Sequence, residues 1–200
     1  MKIAVYCGAS VGNEPSFATA AQELGQWIAS RQNTLVYGGG KVGLMGVLAD
    51  AVLENGGQVI GVIPTFLKDR ELAHPGLTEL HVVETMSERK RKMFELSQAF
   101  VALPGGPGTL EEITEMISWS RIGQNPNPCA FYDVNNFYRA TRALYDNMVE
   151  NEFLTQADRE KIGFAQTTQE LEVFIQAYEP PVIRPVSYTH LRAHETLSDL

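Results

Sequence analysis

Short apolar runs alternate with segments of helical period along nearly the whole chain, and this alternation limits the fold more than any other feature. Strands are expected at residues 2–7, 34–37, 58–63, 79–83, 99–103, 128–132 and 163–165. Helices are expected at 16–30, 43–54, 86–97, from the glycine turn after 103 to about 122, and at 137–150, 156–161 and 168–176. Asn55-Gly56-Gly57 ends the second helix as a C-cap. Residues 65–76 read as irregular and long enough to form a functional loop or lid. Apolar strands separated by helices require a parallel sheet covered on both faces. The expected class is therefore α/β, a doubly wound parallel sheet with helices on both faces, in a single domain over residues 1–180.

The stretch after Pro185 breaks the pattern, so residues 186–200 are read as a non-native tail resembling vector read-through. His190 and His194 within it have i, i+4 spacing, but Leu191 stands where a zinc-protease motif needs Glu, and no metal site is assigned. The formal net charge of −8 argues against a general nucleic-acid binder. No apolar stretch approaches a membrane span, and the N-terminus lacks a signal-peptide pattern. Cys7 and Cys129 have no metal-ligand spacing and read as reduced thiols of a cytoplasmic protein.

Three of the expected strands run into turns rich in small residues: Cys7-Gly8-Ala9-Ser10-Val11-Gly12, Gly38-Gly39-Gly40-Lys41-Val42-Gly43, and Pro104-Gly105-Gly106-Pro107-Gly108-Thr109. In a doubly wound sheet such turns share the carboxyl edge, where ligands bind. The third turn opens a helix bearing Leu110, Ile113, Ile117 and Ile122, so several backbone N–H groups converge at the positive end of its dipole, an arrangement that suits a phosphate. The second turn satisfies G-x-G-x-x-G, but the next strand ends in Pro64 rather than in the acidic residue of a dinucleotide site. It also fails as a P-loop, with Val42 in place of Ser or Thr and Leu35 at the first glycine position.

Two side chains stand out near the third turn. Four basic residues, Arg89-Lys90-Arg91-Lys92, point in different directions on a helix, so most of them form a solvated face paired with Glu88 and Glu95. Arg89 is the candidate for the site, because guanidinium recognises phosphate or carboxylate in a planar fork. Glu112 has two readings that spacing does not separate: a carboxylate for chemistry, or the N3 member of a capping box begun by Thr109. Glu115 and Trp119 share its helical face, either as a pocket wall or as packing.

The run Pro104-Gly105-Gly106-Pro107-Gly108-Thr109-Leu110-Glu111-Glu112 resembles the P-G-G-x-G-T-x-x-E signature of the Lonely Guy family, the cytokinin riboside monophosphate phosphoribohydrolases often mislabelled lysine decarboxylases. The likeness extends to Tyr37-Gly38-Gly39-Gly40, Gly43-Leu44-Met45-Gly46, Met86, Arg89, Lys90, Met93 and Trp119, and so covers residues 1–176. It implies a Rossmann-like fold, a homodimer, and hydrolysis of the N-glycosidic bond of a nucleoside monophosphate, including AMP, without metal or cofactor. It assigns the chemistry to Glu112 paired with Arg89. The phosphate is expected on the N–H groups of Gly106, Gly108 and Thr109 with the Thr109 hydroxyl. Ser10, Gly38, Gly39, Gly40, Gly43, Met86, Lys90, Gly105 and Glu115 are expected around the rest of the nucleotide. The alternative is a non-catalytic nucleotide or molybdenum-cofactor carrier on the same fold, which would not need the Arg89/Glu112 pair. A redox protein built on the G-x-G-x-x-G run is a third reading, testable by NAD binding. The decarboxylase label implies pyridoxal phosphate, for which no lysine has an evident setting.

Overall fold

The apolar runs become strands, buried on both faces except at the edge strand Glu79–Val83, and each periodic segment becomes a helix that covers the sheet. The computed structural model describes residues 1–71 and 73–183. The strands are β1 (Lys2–Tyr6), β2 (Thr34–Tyr37), β3 (Gln58–Pro64), β4 (Glu79–Val83), β5 (Ala99–Ala102), β6 (Cys129–Tyr132) and β7 (Ile162–Ala165). The helices are α1 (Pro15–Ser30), α2 (Gly43–Glu54), α3 (Thr65–Glu71), α4 (Met86–Leu96), α5 (Pro107–Arg121), α6 (Arg139–Glu150), α7 (Gln156–Glu160) and α8 (Thr168–Ala177). The sheet order is β4-β3-β2-β1-β5-β6-β7 with parallel pairing throughout.

Side-chain alternation along the strands splits the core in two. Ile3 and Val5 of β1 join Leu24 and Ile28 of α1, Leu48 and Val52 of α2 and Leu171 of α8 on one face. Ala4 and Tyr6 join Met93 of α4, Ile113 and Ile117 of α5 and Tyr145 of α6 on the other. The chain order steps outward from β1 to β4 and then jumps to β5 on the other side of β1. The strand order therefore reverses between β1 and β5, and the cleft above that point is where such sheets bind ligands.

The structure corrects three local expectations. Residues 65–76 are not irregular throughout: α3 occupies Thr65–Glu71, too short a helix to leave a periodic signal. The helix expected over 137–150 begins only at Arg139, after a 3-10 turn at Val134–Asn136, where Asn135 and Asn136 take positive φ. Helix α5 starts at Pro107 with Gly106 as N-cap, not at Thr109, because proline at the first helical position already has the required φ. The tail 186–200, with His190 and His194, lies outside the described residues.

Gly43 ties two loops of the carboxyl edge together. It has φ 68°, and a Cβ there would overlap the backbone carbonyl of Ala9. Gly43→Ala is expected to lower stability by about 2–4 kcal/mol, the left-handed φ and the backbone clash adding. Urea denaturation checks this, and an unchanged midpoint would mean that the two loops part at little cost.

Candidate active site

Strand β5 ends directly in the turn Pro104–Gly106, and β1 ends beside it, with Gly8 N–H donating to the Pro104 carbonyl at 3.1 Å. Gly105 allows this crowding, since a Cβ there would overlap the Thr109 hydroxyl. Gly106 and Gly108 face open space instead, and no side chain caps the helix. The N-terminus of α5 is thus a bare set of N–H groups at the switch point, with the dipole favouring an anion.

Arg89 and Glu112 meet beside it. Arg89 lies on α4 and Glu112 on α5, both buried, with the guanidinium Nη2 3.6 Å from the Glu112 carboxylate. Gly38 provides the seat for the guanidinium, because a Cβ at Gly38 would overlap Arg89 Nη2. Met86 Sδ lies 3.8 Å from Nη1, and Arg89 Nε has no hydrogen-bond partner among the described residues. A buried ion pair gains little net stability after desolvation, so packing alone gives little reason for this one. The two side chains, Met45, Met86, Gly106 and Thr109 help line a cavity of about 270 Å³.

The capping reading of Glu112 is overturned. Glu112 lies beyond the first turn of α5, and the nearby capping box belongs to α4: Thr85 Oγ1 accepts from Glu88 N–H at 3.1 Å, while the Glu88 carboxylate accepts from Thr85 N–H at 3.3 Å. Glu88 is therefore not a partner of the basic run. Arg91 pairs with Glu95 at 2.8 Å as expected.

The other expected site residues divide. Gly105, Gly106, Gly108, Thr109, Met86 and Gly38 gather around Arg89 and Glu112. Ser10 opens onto an adjoining cavity of about 490 Å³ walled by Phe17, Leu44 and Phe137, and its hydroxyl accepts from Gly12 N–H at 3.2 Å. The carbonyls of Gly39 and Gly40 accept from His74 N–H at 3.0 Å and Tyr37 OH at 3.1 Å. Lys90 binds Glu111 at 2.5 Å and Glu115 at 3.2 Å. Lys90 and Glu115 line a different cavity of about 490 Å³ on the outer side of α4 and α5, with Phe94 and Trp119. Trp119 packs edge-on against Phe94 at 5.1 Å.

Cys7, Gly8, Ala9, Met45 and Glu111 also line the central cavity, although none of them is among the expected site residues. Met45 sits in the first turn of α2 against Gly38, and Cys7 follows β1. Both look like core residues in sequence, and only their place after glycine-rich turns could have flagged them. Burial, reinforced by the Glu112 carboxylate, pushes the Cys7 thiol well up, with Arg89 opposing, so it is protonated at neutral pH and is no nucleophile. Burial and then Glu112 likewise raise the Tyr6 phenol beneath the site. Lys90 is raised chiefly by its hydrogen bond to Glu111, the opposite of what a Schiff-base amine needs. Among the described residues no lysine lines the central cavity, so the residues present do not fit pyridoxal phosphate. Among the described residues there is no group of three or more metal-ligating side chains, and no helix is long and apolar enough to cross a membrane.

Fold and site together define a doubly wound α/β protein with a buried carboxylate–arginine pair beside a helix N-terminus that no side chain of the described residues caps. A family model described as possible lysine decarboxylase matches residues 45–173. A probable cytokinin riboside 5'-monophosphate phosphoribohydrolase of Oryza sativa subsp. japonica is 42% identical over 90% of this chain and 72% of its own. The enzyme of that name from Arabidopsis thaliana is 41% identical over 90% of this chain and 83% of its own. That from Rhodococcoides fascians is 45% identical over 80% and 81%. The chain belongs to this family, the Lonely Guy family, despite the decarboxylase label. Among solved structures, a molybdenum cofactor binding protein from Rippkaea orientalis superposes with a TM-score of 0.65 at 21% identity, covering 88% of this chain and 94% of its own. A Moco carrier protein from Chlamydomonas reinhardtii gives 0.65 at 20%, with the same coverages. At such identities the likeness shows the shared fold alone.

Proposed function

We propose that this protein hydrolyses the N-glycosidic bond of cytokinin riboside 5'-monophosphates, and of AMP, releasing an adenine-type base and ribose 5-phosphate. The observation that carries the reading is the buried Arg89–Glu112 pair beside the uncapped N-terminus of α5. The names of relatives above 40% identity support it. The 5'-phosphate binds the N–H groups of Gly106, Gly108 and Thr109, each aligned with the helix dipole. The Thr109 hydroxyl, packed against Gly105, assists from the side.

Bond cleavage leaves positive charge on the ribose as the C1'–N9 bond lengthens. Glu112 faces that charge and accepts a proton from the water whose oxygen forms the new bond to C1'. The departing base takes up a proton from solvent as it leaves, and Glu112 returns the proton it accepted to solvent, so that one water is consumed in all. Arg89 holds Glu112 in place and keeps its own Nε available for an oxygen of the substrate. A guanidinium does not give up its proton, so Arg89 positions and stabilises rather than acting as the acid. The protein works as a homodimer in the cytoplasm on a small nucleotide, with no nucleic acid or membrane partner.

Purified protein incubated with isopentenyladenosine monophosphate or AMP should release free base and ribose 5-phosphate in equal amounts, followed by chromatography. Nucleotide that stays bound without release would instead support a carrier.

A further inference from the structure

The segment that follows α3 is fastened across the glycine loop of β2. Ala73 forms an antiparallel bridge with Gly40, and His74 N–H donates to the Gly39 carbonyl at 3.0 Å. The His74 ring, largely buried, then locks the crossing. Its Nδ1 accepts from Gly76 N–H at 3.1 Å, which leaves the proton on Nε2, and Nε2 reaches the Asp50 carboxylate on α2 at 2.9 Å. Gly39 takes φ 82°, and a Cβ there would meet Ile63 at 3.3 Å, so the loop crosses close over β3. The neighbouring Gly38 is the surface on which the Arg89 guanidinium rests.

We infer that His74 and Asp50 form a clasp that positions Arg89, and through it Glu112, by fixing the Gly38–Gly40 loop. His74 touches no reacting atom in this arrangement and is a positioning residue. The inference rests on the proposed hydrolase reading for its catalytic consequence, but the clasp itself can be measured apart from turnover.

The test uses the full chain and the variants His74→Ala, Asp50→Ala and His74→Gln. Asp50 is exposed, so Asp50→Ala keeps the test open if His74→Ala fails to fold. Amide exchange over residues 38–41 is expected to speed up about 10-fold in both alanine variants, as local opening becomes easier. With isopentenyladenosine monophosphate, kcat should fall about 5–10-fold while KM stays within about twofold, the mark of lost positioning rather than lost binding. His74→Gln, whose amide can still donate to Asp50, should recover most of the loss. In an Arg89→Lys background, His74→Ala should add less than about a twofold further loss, because both changes act on one device. Unchanged exchange at 38–41, or losses that multiply fully with Arg89→Lys, would overturn the clasp. If the unmodified protein releases no base from any nucleotide, the hydrolase reading fails, and exchange alone decides the clasp.

Discussion

Glu112→Gln should lower turnover of isopentenyladenosine monophosphate by about 10³-fold while leaving nucleotide binding and fold largely intact. The substitution keeps volume and an acceptor oxygen beside Arg89, but removes the charge that faces the oxocarbenium-like sugar and the base that takes the water's proton. Leaving Arg89 without its counter-charge has a cost, because a buried guanidinium facing a neutral amide loses a charge-assisted bond. That cost is expected to be about 1–3 kcal/mol, moderated by access of water to the cavity, and thermal melting measures it alongside activity. A capping explanation of the loss is already excluded by the fold, since α5 begins at Pro107 with Gly106 in the N-cap position, and Glu112 lies beyond its first turn. Near-normal turnover in Glu112→Gln would leave the buried pair a structural device only, and the carrier reading would then account for the glycine turns.

The strands were legible because a parallel sheet buried on both faces leaves unbroken apolar runs, as at Val59–Ile63 and Ala99–Leu103. Helix α3 was not, because two turns of mixed polarity carry too few residues to show a period. The first residue of α5 was left open for a different reason. Pro107-Gly108 suggests a turn, yet proline at N1 is a helix start signal, and Thr109 followed by Glu112 offered a false capping box. The true box, Thr85 with Glu88, has the same spacing, and Glu88 also adjoins the charge run and so fits a surface ion pair equally well in sequence.

Among the site residues, the glycine turns could be argued from residue type and position. Arg89 could not be separated from its three basic neighbours by spacing alone. What selects it is burial: Lys90 turns to Glu111 and Glu115 and Arg91 to Glu95, while Arg89 alone of these three reaches Glu112. His74 carried no signal of this kind. Its role depends on an antiparallel crossing between Ala73 and Gly40, residues far apart in sequence, which no local pattern encodes.

Gly38→Ala is expected to reduce kcat by about 10²-fold with a stability loss of about 1–2 kcal/mol, smaller than that of Gly43→Ala, so separating the site from the scaffold. Gly38, unlike Gly39 and Gly43, is not among the glycines at positive φ, so the backbone accepts alanine without strain. The new methyl would overlap Arg89 Nη2 and touch Met45 Sδ at 3.1 Å, both of them ends of flexible side chains. The guanidinium can swing aside without moving the backbone, but in doing so it leaves Glu112 and the cavity floor. Gly43→Ala supplies the contrast, because there the obstacle is the Ala9 backbone and the loss appears as stability. Steady-state kinetics and melting of the two variants in parallel check the argument. If Gly38→Ala retained full activity, Arg89 would not need its present seat, and the path from the β2 glycine loop through the guanidinium to Glu112 would be broken at its first step.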